Sequence, residues 1–126
     1  MSLPEVLLVD DDRLIRTMVR DALRDVPCEI READSGDAAL NAISERAPAV
    51  VLLDLVMPGR SGLDVLKALK TKGLKTRILV LSNLDAEALV HQAMADGAHG
   101  YLAKPIHPLD VQSMVRAALE IAGDTP

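Results

Sequence analysis

The chain has 126 residues, room for one domain near the commonest size, in which about two-thirds of the unfolded surface is buried. Hydrophobic residues make up 49% of it, but Tyr101 is the single aromatic, and with a net charge of −5 and a pI near 5.1 the composition excludes a basic face for nucleic acid or anionic lipid and a stacking platform for RNA bases. The single Cys28 rules out an intramolecular disulfide, and neither a charged-then-apolar leader nor an apolar run near the roughly 18 residues of a membrane helix is present, so a soluble, cytoplasmic protein is expected.

Strand and helix alternate along the chain. The first strand is expected over about Glu5–Val9. A helix from about Arg13 to Leu23 follows, with Asp12 as its N-cap and Leu14, Ile15, Met18, Val19, Ala22 and Leu23 repeating as one apolar face. After Pro27, the stretch from Cys28 to Ala33 alternates apolar and polar, which suits an edge strand with one wet face and makes Cys28 a small buried thiol. Asp34-Ser35-Gly36 is turn and cap chemistry for a helix to about Arg46, with Ala39, Leu40 and Ile43 inward. Ala49 to Leu53 is apolar at every position, the signature of a central parallel strand covered on both faces.

Met57 to Gly62 reads as a loop, and a helix from about Leu63 to Lys72 comes next. Ile78 to Leu81 is a second fully apolar strand. Asp85 is the expected cap of the following helix, whose buried stripe is Ala86, Leu89, Val90, Ala93 and Met94 and whose left-handed stop is Gly97. The last strand, about Gly100–Ala103, leads through Lys104-Pro105 to a helix from about Leu109 to Ala122. Five such βα units predict an α/β fold, a single doubly wound five-stranded parallel sheet with helices on both faces. The domain core is expected over about residues 5–122, with no second domain in this chain.

Four of the apolar runs end in polar residues: Asp10-Asp11, Asp54, Ser82 and Lys104. If the strands are parallel, these ends gather at one sheet edge, where open α/β sheets bind ligands. Asp10, Asp11 and Asp54 then form a dense negative site that repels itself unless a cation sits within it. Oxygen ligands without nearby Cys or His point to Mg²⁺, with Mn²⁺ as the alternative, rather than to Zn²⁺. Helix capping accounts for Asp12 but not for Asp54, which is followed by Leu55, Val56, Met57 and a proline. Taken alone, Ser82 reads as a turn residue and Lys104 as a surface lysine. His91, His99 and His107 meet no metal-ligand spacing and read as surface or loop residues.

Val9-Asp10-Asp11, the run from Asp54 to Pro58 with Gly62 eight residues after Asp54, Ser82 after an apolar strand, and Tyr101-Leu102-Ala103-Lys104-Pro105 together resemble the receiver domain of two-component response regulators. The likeness covers about Glu5 to Ala122. It implies the flavodoxin-like strand order 2-1-3-4-5. It also implies that Asp54 is the phosphoacceptor, a carboxylate nucleophile taking its phosphoryl group from a sensor histidine kinase or a phosphotransfer protein. By the same resemblance Asp11 and Asp54 ligate Mg²⁺ directly, Asp10 acts mostly through water, and the Val56 backbone carbonyl is a third protein ligand. Lys104 pairs with the phosphoryl oxygens, Ser82 donates its hydroxyl to them, and the Lys104–Pro105 bond is cis. Ser82 and Tyr101 form the switch, and the face of the fourth helix, fifth strand and fifth helix serves for homodimerisation or partner docking.

Such a chain is no conventional enzyme; it catalyses its own phosphorylation and dephosphorylation. Two departures bear on the second step. Asn83 is larger than the Ala or Gly usual after the hydroxyl residue, and Val56 offers no polar group to orient a hydrolytic water, so a long-lived phosphoryl state is expected. A phosphatase of the haloacid dehalogenase type shares the toolkit, and Asp10-x-Asp12 mimics its opening, but the chain is short for a cap domain and has Ser82-Asn83 where that family needs a late acidic pair. A dinucleotide-binding half needs glycines where the first βα turn has Asp10-Asp11-Asp12. A degenerate receiver acting only as an interaction module is opposed by the complete set of acids and the lysine.

Overall fold

Aliphatic runs and amphipathic segments form strands and helices in strict alternation in the computed structural model, which describes residues 3–83 and 85–123. Met1-Ser2, Leu84 and Asp124-Thr125-Pro126 lie outside the described residues. The elements are β1 (Glu5–Val9), α1 (Arg13–Ala22), β2 (Glu29–Ala33), α2 (Gly36–Glu45), β3 (Val50–Asp54), α3 (Gly62–Thr71), β4 (Arg77–Asn83), α4 (Glu87–Ala95), β5 (Gly100–Lys104) and α5 (Pro108–Gly123). All strand pairs are parallel and the order is β2-β1-β3-β4-β5, as the resemblance implies.

The period of two along each strand divides the core into two layers. Val6 and Leu8 of β1, Val50 and Leu52 of β3, Leu79 and Leu81 of β4 and Leu102 of β5 face α1 and α5, packing on Val19, Leu23, Val111 and Val115. Leu7, Val9, Val51, Leu53, Ile78 and Val80 face the other way, onto α2, α3 and α4. β1, β3 and β4 are therefore buried on both faces, which is why they read as unbroken apolar runs.

Some expectations give way. On α1, Ile15, Val19, Ala22 and Leu23 pack inward, but Leu14 and Met18 are exposed, because each lies one residue, about 100°, around the helix from Ile15 and Val19 and off the sheet. Asp85 does not cap α4. β4 continues two residues past Leu81 to Asn83, whose carbonyl accepts the Ala86 N–H at 3.1 Å, so the helix starts at Glu87 with Ala86 in the cap position and no side-chain cap bond. Met94 of α4 is exposed rather than buried, since it borders a cleft towards β5. Cys28 is half-buried just before β2 rather than inside it, and burial pushes its thiol pKa up. The stop at Gly97 is as expected, with φ at 107°.

Candidate functional site

Three strand ends place the charged groups. Asp10 follows β1 and its N–H extends the ladder to the Ala33 carbonyl at 3.1 Å, so its side chain keeps step with Val6 and Leu8. Asp54 closes β3 in step with Val50 and Leu52, and Lys104 closes β5 in step with Leu102. All three thus share the α1/α5 side of the carboxyl edge, and Asp10 and Asp54 are only 1% and 4% exposed. Lys104 Nζ donates to Asp10 Oδ2 at 2.9 Å and stands 3.5 Å from Asp54 Oδ2. Asp10 Oδ1 accepts the Asp12 N–H at 2.9 Å, and Asp54 Oδ1 accepts the Val56 N–H at 3.1 Å. Asp11 is exposed, and one oxygen from each of Asp10, Asp11 and Asp54 lies within 4.8 Å of the others.

Three carboxylates around one ammonium leave the pocket short of positive charge. Burial pushes the Asp54 carboxyl up and the Asp10 charge adds to it; the Val56 N–H and Lys104 pull the other way, and the pKa stands at about 6. Burial alone would lower Lys104, but its bond to Asp10 and the charges of Asp10 and Asp54 outweigh it and hold the ammonium above its ordinary value. An all-oxygen donor set, crowded and under-neutralised, fits a hard divalent cation.

The exit from β3 is held by a close approach that only glycine permits. A Cβ on Gly62 would lie 2.2 Å from the Asp54 carbonyl oxygen and 2.8 Å from Leu55 Cα. Ser61 and Asp64 then close a capping box, fixing the start of α3 against the strand that ends in Asp54. The Lys104–Pro105 bond is cis.

Ser82 and Tyr101 belong to the other layer. Ser82 keeps step with Ile78 and Val80, towards α4, and its buried Oγ donates to the Asn83 carbonyl at 3.2 Å rather than to the acids. It opens on a cleft of about 570 Å³ bordered by Asn83, Val90, His91, Met94 and Tyr101. The Tyr101 ring stands at the rim, with the residue 52% exposed. Asp10, Asp54 and Lys104 therefore meet directly, with an Asp11 oxygen within 4.8 Å of both acids; Ser82 is at the neighbouring strand end facing away, and Tyr101 lies outside the acid cluster.

Arg16 of α1 is a contributor that the sequence reading passes over. Its Nη1 donates to the Asp10 carbonyl at 2.7 Å and its Nε to Glu32 Oε1 at 2.9 Å. The signal was faint: Arg16 and Arg20, one turn apart, face an acid on an edge strand whose outer side reads as merely wet. The histidines take structural places. His99 Nδ1 accepts the Ile78 N–H, His107 Nδ1 accepts the Leu109 N–H, and His91 lies on the exposed side of α4. None joins an acidic cluster among the described residues, where no carboxylate from β4 completes a phosphatase-type site either. No helix among the described residues is long and apolar enough to cross a membrane.

Comparison with known proteins agrees with this arrangement. A family model described as the response regulator receiver domain matches residues 6–116. The nitrate/nitrite response regulator protein NarL of Escherichia coli is 36% identical over 115 residues, which cover 90% of this chain and 53% of NarL. The signal receiver domain of a Vibrio parahaemolyticus protein superposes with a TM-score of 0.90 at 28% identity, covering 95% of this chain and 92% of that one. The receiver domain of NtrX from Brucella abortus does so with a TM-score of 0.85 at 32% identity, covering 91% and 98%. The chain spans about half the length of the curated relatives it matches. With five parallel strands in the order 2-1-3-4-5, acids at the ends of the first and third, and a match over most of its length, the chain belongs to the response regulator receiver domain family.

Proposed function

We propose that Asp54 accepts a phosphoryl group from the phosphohistidine of a sensor kinase or phosphotransfer protein, with Asp10, Asp11 and Asp54 holding Mg²⁺ and the Val56 carbonyl as a further ligand. The observation that carries this reading is the convergence of three carboxylates and Lys104 at one sheet edge. A carboxylate oxygen of Asp54 attacks phosphorus, the P–N bond breaks, and the imidazole leaves with the electron pair. The Val56 N–H holds the acceptor carboxylate in place. Lys104, already 3.5 Å from it, meets the incoming phosphoryl oxygens. Bound Mg²⁺ supplies charge neutralisation for the transfer.

Ser82 then turns from the Asn83 carbonyl to a phosphoryl oxygen, the end of β4 follows, and Tyr101 enters the cleft beside α4. The changed face of α4, β5 and α5 meets a second copy or another partner. This chain acts as one receiver unit in the cytoplasm. Incubation with acetyl phosphate and Mg²⁺ tests the reading: the intact mass rises by one phosphoryl group, and the Asp54→Asn chain shows no gain. A wild-type chain that takes up no phosphoryl group overturns it. The exposed, apolar Val56 side chain gives water no hydrogen-bonding guide, so the aspartyl phosphate persists for minutes or longer, and decay within seconds at neutral pH contradicts that expectation.

A further inference from the structure

Past Asp10 the parallel ladder ends, and the direction of the next residues depends on what their backbone groups find. The Asp10 N–H still reaches Ala33, but the Asp10 carbonyl is taken by a side chain, Arg16 Nη1, at 2.7 Å. The same guanidinium gives Nε to Glu32 Oε1 at 2.9 Å, and its side chain is only 14% exposed. Glu32 is itself pinned, because Arg20 donates to its other oxygen through Nε at 3.1 Å and Nη2 at 2.8 Å. These hydrogen bonds, Arg20's first and Arg16's after it, hold the Glu32 carboxyl below its ordinary range, so the brace is ionised at neutral pH.

We propose that Arg16 is a positioning residue for the cation: braced by Glu32, its planar fork fixes the Asp10 carbonyl and thereby the Asp10-Asp11 backbone from which two of the three carboxylates project. The proposal rests on the reading that these acids hold a divalent cation. The exposed Asp11 carboxylate takes its direction from that backbone. A guanidinium suits the task because two of its donors point along fixed, divergent lines, whereas an ammonium is a single point donor.

Charge and geometry make opposite predictions here. As a positive group beside a cation site, Arg16 disfavours the cation, so charge alone says that its removal tightens binding. As a brace, its removal loosens binding, by the roughly 10- to 100-fold typical of groups that orient metal ligands.

Calorimetric Mg²⁺ titration of the wild-type chain and of R16M, R16K and R20M at neutral pH separates the two. R16M and R16K are expected to bind Mg²⁺ at least about tenfold more weakly. R20M removes an equal charge and Glu32's other guanidinium partner but no contact with Asp10, and it stays near the wild-type affinity. In metal-free amide spectra the Asp11 and Asp12 resonances move in R16M and hold still in R20M. R16K keeps the stem and the charge and carries the comparison should R16M lose its fold. A folded R16M or R16K that binds Mg²⁺ as tightly as wild type, or more tightly, overturns the proposal alone. A wild-type chain that takes up no Mg²⁺ overturns the cation reading and the proposal with it.

Discussion

Asp54 bears a cost for its place in the site. Its folded pKa of about 6 lies above the ordinary value near 4, so between those pH values the folded chain holds a proton that the unfolded chain has released. Stability therefore falls as pH rises through that window, and above it the metal-free protein has lost up to about 3 kcal/mol. Asp54→Asn is expected to raise the unfolding temperature in EDTA at pH 7–8 and to match wild type near pH 4, in thermal melts followed by circular dichroism. Equal melting at both pH values would show that the burial is relieved some other way. Gly62 sets two effects against each other. Helix propensity favours Gly62→Ala by up to about 1 kcal/mol, but the added Cβ meets backbone 2.2 Å away, and such overpacking costs about 1–3 kcal/mol. The clash wins, so the variant should lower the urea midpoint and, by shifting the Asp54 carbonyl, slow phosphorylation. At this scale the site was largely legible, because Asp10, Asp54 and Lys104 terminate or follow strands and strand ends can be read from apolar runs. Arg16 was not, since its partners are a backbone carbonyl and an acid sixteen residues away.

Elements are held at their ends by different means. Asp12, Ser35 and Ser61 give side-chain caps to α1, α2 and α3, whereas α4, starting at Glu87 after Ala86, has none. Amide exchange in the first turn of α4 should therefore be faster than in the first turns of α1, α2 and α3, and equal protection would refute this. The missing cap also marks where pattern reading fails. Asp85 follows an apolar run and precedes a helical stripe, but β4 runs on through Ser82 and Asn83, a pairing decided by β5 rather than by local preference. At the opposite sheet edge, Glu5 is buried at the start of β1 between Arg31 of β2 and Arg46 beyond α2. Arg31 also donates to the Ala42 and Arg46 carbonyls, closing the carboxyl end of α2. Glu5→Ala leaves Arg31 only the exposed Glu45 carboxylate, 3.9 Å away, and should cost towards the lower end of roughly 3–5 kcal/mol, because that acid and Arg46 both face water. Urea unfolding measures the loss, and Mg²⁺ affinity should not change, because the cluster lies a strand length from Asp10.

For the molecule as a whole, the sheet sorts its groups so that chemistry and surface lie on different layers. Asp10, Asp54 and Lys104 keep step with the α1/α5 layer, while Ser82 and Tyr101 keep step with the α4 layer. A phosphoryl group adds roughly −1.5 to −2 charge to a pocket already rich in carboxylates, and in the proposed function Ser82, the hydroxyl at the adjoining strand end, leaves its bond with Asn83 to answer it. In the proposed switch, movement of Ser82 shifts the end of β4 and lets the half-exposed Tyr101 into the cleft it borders. Because Tyr101 is the single aromatic of the chain, its intrinsic fluorescence reports this step without competing signals. Phosphorylation with acetyl phosphate and Mg²⁺ is expected to reduce acrylamide quenching of that fluorescence. Ser82→Ala should still gain the phoshoryl mass while its quenching stays at the resting level, and Asp54→Asn should change in neither. Wild-type chain that carries the phosphoryl group by mass yet quenches as before would sever Tyr101 from the switch and leave the α4 cleft as a fixed feature of the surface.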